Sequence, residues 1–431
     1  MTDETVSVGP TRRQQWALSI AMFLITGAFG FLQTFTSLYL SAAGLQLKEI
    51  GLVTALGTAV AIFLQPVLGR LSDRWDTRRP FMVLAALGSA GAYLLFRKAA
   101  GFEQFVLLTA LGVNGSQYLN TVGGVLVGRM VRATGGGTAY VRYRLWGSVG
   151  YIVVALTTGG IVKAYLPENA TLNRADLDPL FTYAPLLFLA IAVASLFVPD
   201  VKNPPPTDRD TAPEAIEPPR TPQEQANLRW FLTAFFLYQF SLYGASAYLP
   251  LFMKSLGASP LHITAMYAGG VLIEVAVMSQ VGRWVDTYGR WPALAASFLL
   301  LPVRLLLYVP ANSPLHVMAV QTLHGFNFGI IGTIAIVFVN DLARNHERGT
   351  IQSRLAVTQG IGVALGPVVC GFLSDRFGIP TMFAVMAGGA LLTAAVFWTR
   401  VRETHPSPKP LPAGWRFLQG APMRPSGDGS G

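Results

Sequence analysis

Twelve hydrophobic segments, most of them close to 20 residues long, are separated by short polar stretches along this chain of 431 residues. A helix of about 20 apolar residues is long enough to cross the hydrocarbon core of a bilayer. The composition agrees, because 52% of the residues are hydrophobic and 13% are charged, whereas a soluble domain carries about a quarter charged residues. The sequence therefore predicts an all-α membrane protein with twelve transmembrane helices, at residues 16–41, 49–69, 81–97, 104–128, 144–163, 180–198, 229–253, 262–281, 291–310, 315–340, 354–373 and 380–399.

The polar turn after the second segment has a counterpart after the eighth. Each turn opens on a glycine, continues to an acid and closes on arginine: Gly69, Asp73, Arg78 and Arg79 in the first turn, and Gly282, Asp286 and Arg290 in the second. Membrane proteins built from two parallel copies rock one half against the other around a central site. The sequence therefore predicts two pseudo-symmetric six-helix bundles, residues 1–198 and 229–404, an architecture that moves small molecules.

Two regions are predicted to lie outside the membrane. Residues 199–228 are rich in proline and are interpreted as a flexible cytoplasmic linker between the halves. Residues 405–431 have a similar Pro/Gly/Ser composition and are predicted to form a disordered cytoplasmic tail. Most of the 32 lysines and arginines fall on the side that holds both termini, so the positive-inside rule predicts that both termini are cytoplasmic. The same bias accounts for most of the net charge of +10, and a nucleic-acid partner is not needed to explain it.

The sequence offers little support for covalent chemistry. The single cysteine, Cys370, lies in a hydrophobic segment, so no disulfide framework is possible, and no Cys/His cluster suggests a metal site. A nucleotide-binding loop and a nucleophile motif are also missing from the sequence. We therefore expect no enzymatic activity, no metal and no organic cofactor, with the proton as the coupling ion.

Together, the twelve segments and the two turns resemble the major facilitator superfamily over nearly the whole chain. The first turn is similar to that superfamily's signature between spans two and three, and departs from it where Asp76-Thr77 replaces the usual glycine. The resemblance implies a monomeric multi-pass transporter of the bacterial inner membrane, with the lipid bilayer and a small-molecule substrate as its partners. It also implies that the polar turns hold the cytoplasmic side together and release it during transport; for the arginines, a role in topology alone is the alternative. The implied gating residues are Gly69, Asp73, Arg74, Arg78, Arg79, Asp286 and Arg290.

Within the superfamily, short strings resemble the lactose, nucleoside and phenylpropionate permeases. By that resemblance Arg144 contacts the substrate, with a positive-inside anchor as the alternative, and Arg304 and His324 belong to a proton-coupling cluster. Glu274 and Phe326 resemble the acidic residue and its aromatic neighbour in nucleoside permeases. A lactose-type substrate is not expected, because neutral residues stand where lactose permease has a glutamate and a lysine. The strings are Phe63-Leu-Gln-Pro66, Arg142-Tyr-Arg-Leu-Trp-Gly-Ser-Val-Gly150, Val303-Arg304 and Leu323-His-Gly-Phe326, and the neutral residues are Asn327 and Gln321.

Three ionisable residues lie well inside the predicted spans eight, nine and ten: Glu274, Arg304 and His324. An ionisable group at mid-bilayer costs about 2.5–3.5 kcal/mol on insertion scales, so three on adjacent helices suggest a shared polar site. We predict that Glu274 carries the proton, that Arg304 modulates it electrostatically and that His324 relays protons or forms a hydrogen bond. The alternatives are a static ion pair between Glu274 and Arg304 and a histidine that only bonds a neighbouring backbone or hydroxyl group.

Amides and aromatic rings within the spans are candidates for the solute site, because a buried amide needs a partner and a cavity can supply one. Gln239 and Asn327 are the preferred pair. Amides with rings suit a small organic solute with a flat face, and the surplus of arginine also allows a carboxylate, which favours a nucleoside-like or aromatic-acid-like substrate. The predicted substrate-binding residues are Arg144, Gln239, Phe326, Asn327, Gln33 and Asn120.

Three classes of function remain open at this point. Proton-coupled symport, with uptake of the solute, is the leading prediction. A proton-coupled antiporter that exports drug-like or metabolite molecules is the alternative: exporters of the superfamily usually carry Gly-Pro on span five, and here Gly366-Pro367 stands on span eleven, the pseudo-symmetric position. A non-transporting sensor or an intramembrane enzyme is the least supported reading.

Overall fold

The computed structural model describes residues 11–75, 77–134, 137–166, 172–198, 219–344 and 347–422, without the side chains of residues 131–142 and 144. Within these ranges all regular structure is helical, apart from an isolated bridge between Glu403 and Pro422. Twelve helices are long, which confirms the predicted fold class. They are α1 (Arg12–Ala42), α2 (Leu47–Arg74), α3 (Arg79–Phe96), α4 (Phe102–Thr134), α5 (Gly137–Tyr165), α7 (Leu180–Phe197), α8 (Pro222–Ser246), α10 (Pro260–Tyr288), α11 (Arg290–Tyr308), α12 (Pro314–Asp341), α13 (Arg348–Phe377) and α14 (Ile379–Arg400); α6 (Arg174–Leu177) and α9 (Leu249–Ser255) are short.

Ten of these helices are long and apolar enough to cross a membrane. The other two long helices, α4 and α8, carry more polar side chains along their length, among them Asn114 and Gln239. The seventh predicted span, 229–253, is divided by the structure into α8 and α9, because the chain leaves the helix at Ala247-Tyr248 and Pro250 opens a new one.

Helix α8 begins inside the predicted linker, which corrects the boundary at residue 228. Thr221 accepts a hydrogen bond from the backbone nitrogen of Glu224, whose carboxylate accepts one from the Thr221 nitrogen. This capping box, with Pro222 at the first helical position, satisfies the free N–H groups of the helix and starts it in a proline-rich context. The rest of the linker, residues 199–218, lies outside the described residues.

The chain divides into two compact units. The first comprises described residues within Met1–Ala43 and Val60–Thr211. Its helices α1 and α5 pack backbone to backbone, and a Cβ at Gly150 would overlap the carbonyl of Phe23. Stacked rings fill the core between α3 and α7, with Phe96 and Phe181 centroids 5.3 Å apart.

The second unit comprises Gly44–Ala59 and the described residues within Ala212–Gly431. It differs from the sequence-based division because the start of α2 packs here, with the hydroxyl of Tyr248 donating to the carbonyl oxygens of Leu47 and Pro367 at 3.1 and 2.8 Å. Helices α8 and α13 repeat the close approach of α1 and α5, since a Cβ at Gly366 would overlap Phe240 and lie 2.9 Å from the backbone nitrogen of Gly244.

The prediction of a disordered tail from residue 405 is wrong for the part that the structure describes. Residues 405–422 include a 3-10 helix, Ala413–Leu418, and bury Leu411 and Leu418 to 2% and 4% exposure. Burial of these two apolar side chains contributes to docking the segment against the second unit. Residues 423–431 lie outside the described range.

Candidate functional site

Arg304 on α11 lies at the centre of a buried polar network in the second unit. Its side chain is 1% exposed, and Nη1 lies 3.2 Å from Nδ1 of His324 and 3.4 Å from Oδ1 of Asn327 on α12. Nε donates to the hydroxyl of Tyr308 at 3.3 Å, and that hydroxyl donates to Oε1 of Gln321 at 2.5 Å. The structure therefore brings together the predicted residues Arg304, His324 and Asn327.

A second arm of the network ties Asn327 to α11 and α8. Nδ2 of Asn327 donates to the carbonyl oxygen of Ser297 at 2.9 Å, and the Ser297 hydroxyl donates to the carbonyl oxygen of Asn327 at 3.2 Å. The hydroxyl of Tyr238 lies 3.0 Å from Oγ of Ser297. Both polar atoms of the Asn327 side chain thus have hydrogen-bond partners within the protein, which hold this amide beside Arg304.

Glu274 is half-buried on α10, where that helix crosses α12. The crossing is close because of Gly325: a Cβ there would lie 2.6 Å from the backbone nitrogen of Glu274. Glu274 interacts electrostatically with Tyr243 on α8. Among the described residues, the hydrogen-bond partners of Arg304 do not include Glu274, so the static ion pair considered from the sequence is not formed here.

A small cavity of about 70 Å³ lies between α8, α12 and α13. Gln239 lines it and is 3% exposed, and its Oε1 has no hydrogen-bond partner within the described part of the chain. The ring of Phe328, the ring of Phe235 and the amide of Gln359 complete the polar and aromatic lining. At about 70 Å³ this cavity is far smaller than the roughly 300–1,000 Å³ of ordinary ligand pockets, so it offers a hydrogen-bond acceptor and two rings to part of a solute and does not enclose a whole one.

Phe328, not the predicted Phe326, is the phenylalanine of α12 that packs against His324. Its centroid lies 5.1 Å from the imidazole of His324 and 6.1 Å from the ring of Tyr243. Phe326 is 44% exposed on another face of α12, because two residues on a helix differ by about 200° in direction. Sequence reasoning also missed Tyr308, which a simple spacing rule could have found, since it lies four residues after Arg304.

The remaining predicted substrate residues lie in the first unit. The hydroxyl of Tyr151 on α5 donates to Oε1 of Gln33 on α1 at 2.8 Å. Asn120 on α4 is exposed. The side chain of Arg144 lies outside the described part of the structure. An amide pair that the sequence did not predict joins α2 and α4, where Nε2 of Gln65 donates to Oε1 of Gln117 at 3.0 Å.

The first polar turn is held by arginines. Arg78 is 7% exposed, forms an ion pair with Asp73, and donates from Nη1 to Oγ of Ser72 at 2.8 Å. Arg79 donates from Nε and Nη2 to the carbonyl oxygen of Val198, at the end of α7, at 3.2 and 2.9 Å. Two other predicted gating residues make less contact: Arg74 is exposed, and a Cβ at Gly69 would meet nothing within 4 Å.

The second turn repeats this arrangement within its own unit. Arg290 lies 3.5 Å from Asp286 and donates to Oδ2 of Asp341 at 3.0 Å. Nε1 of Trp291 donates to the carbonyl oxygen of Val401, at the end of α14, at 3.0 Å. In both units a side chain at the start of the third long helix thus holds the end of the sixth, which extends the repetition from sequence to hydrogen bonding.

A larger cavity of about 1090 Å³ lies near the start of α8. Four arginines and one acid line it: Arg220, Arg229, Arg344, Arg354 and Glu347. Two of the arginines are in ion pairs, Arg220 with Glu347 at 2.5 Å and Arg344 with Glu224 at 2.8 Å. Within the described residues, Arg229 and Arg354 have no carboxylate partner, so the cavity carries surplus positive charge. Among the same residues, no three His, Cys, Asp or Glu side chains come together to hold a metal ion.

Comparison with known proteins agrees with this architecture. Residues 15–385 match the model of the MFS_1 like family. The chain is 26% identical over 372 residues to a maltose permease of Geobacillus stearothermophilus, covering 84% of this chain and 88% of that one. It is 24% identical over 405 residues to multidrug resistance protein MdtG of Salmonella choleraesuis, covering 89% and 94%. The crystal structure of nucleoside transporter NupG matches with a TM-score of 0.67 and 17% identity, covering 89% of this chain and 98% of NupG, and this likeness concerns the fold alone.

Proposed function

The chain belongs to the MFS_1 like family of major facilitator transporters, and from that membership we propose that it takes up a small organic solute together with protons. It is a multi-pass membrane protein with ten helices long and apolar enough to span a bilayer and two more polar long helices. We further propose a monomer in the bacterial inner membrane with both termini in the cytoplasm, as the distribution of lysine and arginine favours.

The observation that carries the proposal is the chemistry around Arg304. A buried guanidinium is costly to keep in a dry site without an anion. Here its partners in the described part of the chain are an imidazole, an amide and a phenol, none of them a carboxylate. We assign the missing negative charge to an anionic group that arrives and leaves during transport, either a carboxylate of the solute or the side chain of Glu274.

His324 links this cluster to protons. A guanidinium only donates hydrogen bonds, so Nδ1 of His324 accepts from Arg304 and carries no proton in this arrangement. Protonation at Nδ1 breaks that bond. In the proposed cycle Glu274 carries the proton, and Arg304 changes the affinity of Glu274 for that proton. His324 relays protons or forms a hydrogen bond beside them.

The proposed solute is nucleoside-like or aromatic-acid-like. The amide of Gln239 and the rings of Phe235 and Phe328 suit a flat, hydrogen-bonding group. Arg229 and Arg354 in the larger cavity suit an approaching anion. NupG, which has the same fold, is a nucleoside transporter, whereas the maltose permease points to sugars, so maltose belongs among the solutes to test.

The proposal is tested with purified protein in liposomes, using labelled uridine, phenylpropionate and maltose. With acid outside, we expect accumulation of one solute class. Glu274→Gln is expected to abolish this accumulation while leaving solute-for-solute exchange intact, because exchange needs no net proton movement. Glu103→Gln, at an exposed carboxylate in the first turn of α4, is the matched control and keeps both activities. Accumulation by Glu274→Gln equal to that of the unchanged protein would remove Glu274 as the proton carrier.

Export in exchange for protons is the second candidate, favoured by the likeness to MdtG and by Pro367 within α13. The same liposomes decide between the two directions of coupling. A symporter accumulates solute when the outside is acidic, and an antiporter accumulates it when the inside is acidic. Accumulation only with acid inside would replace uptake by export as the function.

The polar turns are proposed to act as gating elements in this cycle. Asp73, Arg78 and Arg79 hold the end of α2 to the end of α7, and Asp286 and Arg290 hold the end of α10 to Asp341 at the end of α12. The carboxylates of Asp73 and Asp286 are exposed, and ion pairs open to solvent contribute only about 0–1 kcal/mol each, so such contacts can break and re-form as the protein cycles. Gly69 and Arg74 complete the proposed set.

A further inference from the structure

After α14 the described part of the chain turns back onto the second unit and reaches the start of α11. The backbone nitrogen of Lys409 donates to the carbonyl oxygen of Thr287 at 2.9 Å, and the nitrogen of Glu403 donates to the carbonyl oxygen of Ala421 at 3.1 Å. A Cβ at Gly420 would lie 2.5 Å from the indole of Trp291. The tail is therefore held at the level where α10 and α11 meet.

Glu403 fixes this position. Its carboxylate is 3% exposed and accepts hydrogen bonds at 3.0 Å from the backbone nitrogens of Arg290 and Trp291, the first residues of α11. It also accepts from the nitrogens of Thr404 and His405 at 2.8 and 2.9 Å. A carboxylate at a helix N-terminus satisfies free N–H groups and complements the helix dipole.

The docked tail presents two large rings on its outer surface. In the 3-10 helix Ala413–Leu418, Leu418 is buried, whereas Trp415 and Phe417 are 59% and 62% exposed. Their centroids lie 6.5 Å apart with planes 19° from parallel, so they form one continuous apolar surface. Arg416 stands exposed between them in sequence.

Lipid is the partner whose chemistry this surface fits. The surface lies beside the start of α11. This helix is long and apolar enough to span the membrane, and Leu299, Val303 and Leu306 are exposed along it. Trp and other amphipathic rings collect where a spanning helix leaves the hydrocarbon. A basic side chain at that level gains about 1 kcal/mol from anionic lipid. The ring surface thus lies at the level where a membrane-spanning helix begins.

We propose that the 3-10 helix Ala413–Leu418 is an interfacial membrane anchor. Trp415 and Phe417 lie among the lipid headgroups, and Arg416 contacts lipid phosphates. Through Glu403 the anchor holds the start of α11 and the second polar turn at a fixed depth in the membrane. This inference depends on the membrane topology and not on the identity of the solute.

The test places a probe at the anchor. Cys370 is the only cysteine, so Cys370→Ser combined with Phe417→Cys gives one site for a bimane fluorophore. The protein is reconstituted in nanodiscs of phosphatidylcholine and phosphatidylglycerol. We expect a nitroxide on the lipid headgroup to quench most of the emission and aqueous iodide to quench little of it.

Emission that iodide quenches fully and the lipid nitroxide leaves unchanged would overturn the anchor, because the rings then face water. Emission that neither agent reaches would also overturn it, since a second copy or another protein covers the rings. A measurement on the native residue guards against an effect of the label: brominated lipid is expected to quench the unchanged protein more than Trp415→Phe. Equal quenching of the two would count against lipid contact at Trp415.

Discussion

Gly325 on α12 lies against the backbone of Glu274 on α10, so closely that a Cβ at residue 325 would stand 2.6 Å from the Glu274 nitrogen and 2.7 Å from Cβ of Ile273. His324 immediately precedes this glycine and bonds Arg304. The same crossing therefore sets the depth of Glu274 and the position of the Arg304 network. A change in the distance between α10 and α12 would therefore displace both Glu274 and the Arg304 network.

Gly325→Ala is expected to lower the unfolding temperature of the purified protein and to impair uptake. The added methyl forces α10 and α12 apart, and overpacking of this kind costs about 1–3 kcal/mol. Gly332→Ala on the same helix is the control, because a Cβ there would meet nothing within 4 Å, and alanine favours a helix by up to about 1 kcal/mol. Equal unfolding temperatures for the two variants would mean that α10 and α12 accommodate the added methyl group without loss of stability.

Arg304→Lys is expected to destabilise the protein and to abolish proton-driven uptake, although it keeps the charge. A lysine cannot reach Tyr308, His324 and Asn327 together, and each buried acceptor left without a donor costs about 1–3 kcal/mol. Arg348→Lys, at the exposed start of α13, is the matched control. Thermal unfolding and uptake in liposomes are both measured, and an Arg304→Lys protein as stable as the control would show that the network contributes little to folding.

Gln239→Leu is expected to weaken solute binding without lowering the stability of the protein. Oε1 of Gln239 is buried without a partner in the described part of the chain, so replacing the amide by an apolar side chain of similar size removes a cost of about 1–3 kcal/mol. The unfolding temperature should stay level or rise, while solute affinity falls about tenfold, or about 1.4 kcal/mol.

Ser241→Ala is the control for Gln239→Leu, since Oγ of Ser241 on α8 also has no hydrogen-bond partner among the described residues and does not line the small cavity. It should share the gain in stability and keep the affinity. A Gln239→Leu protein that is destabilised and binds solute normally would place this amide outside the solute site.

Hydrophobicity was enough to predict the helices, because lipid and core both demand long apolar runs. It also located Arg304 and His324, since charged groups at mid-span stand out against that background, and the structure places them in contact. Their roles in proton coupling stay predictions. The direction of a side chain is harder to predict, because one residue turns a helix by about 100°, and this is why Phe328 stands where Phe326 was expected.

Features that depend on distant partners were beyond reach of the sequence pattern. Asn327 was expected to present its amide to a solute, yet Ser297 and Arg304 occupy both of its polar atoms. The ordered tail was missed for a similar reason. Its composition is that of a flexible segment, and it is held by contacts with residues more than a hundred positions earlier, those of Glu403 with the start of α11 and of Lys409 with Thr287.

Gly289→Ala is expected to destabilise the protein more than Gly378→Ala. Both glycines join consecutive long helices at positive φ, 98° and 84°, with extended ψ, a region where an L side chain is strained by about 1–3 kcal/mol. At Gly289 the new Cβ also collides with Oε2 of Glu403, whereas at Gly378 the nearest atom is Cδ of Pro380 at 3.9 Å. The extra loss of stability at Gly289 should therefore come from displacing Glu403.

Adding Glu403→Gln to each variant checks this by thermal unfolding. After Gly378→Ala, Glu403→Gln should cost its full amount of stability, about 1–3 kcal/mol. After Gly289→Ala, it should cost little. Equal costs in the two backgrounds would show that Glu403 keeps its hold on α11 when residue 289 gains a side chain.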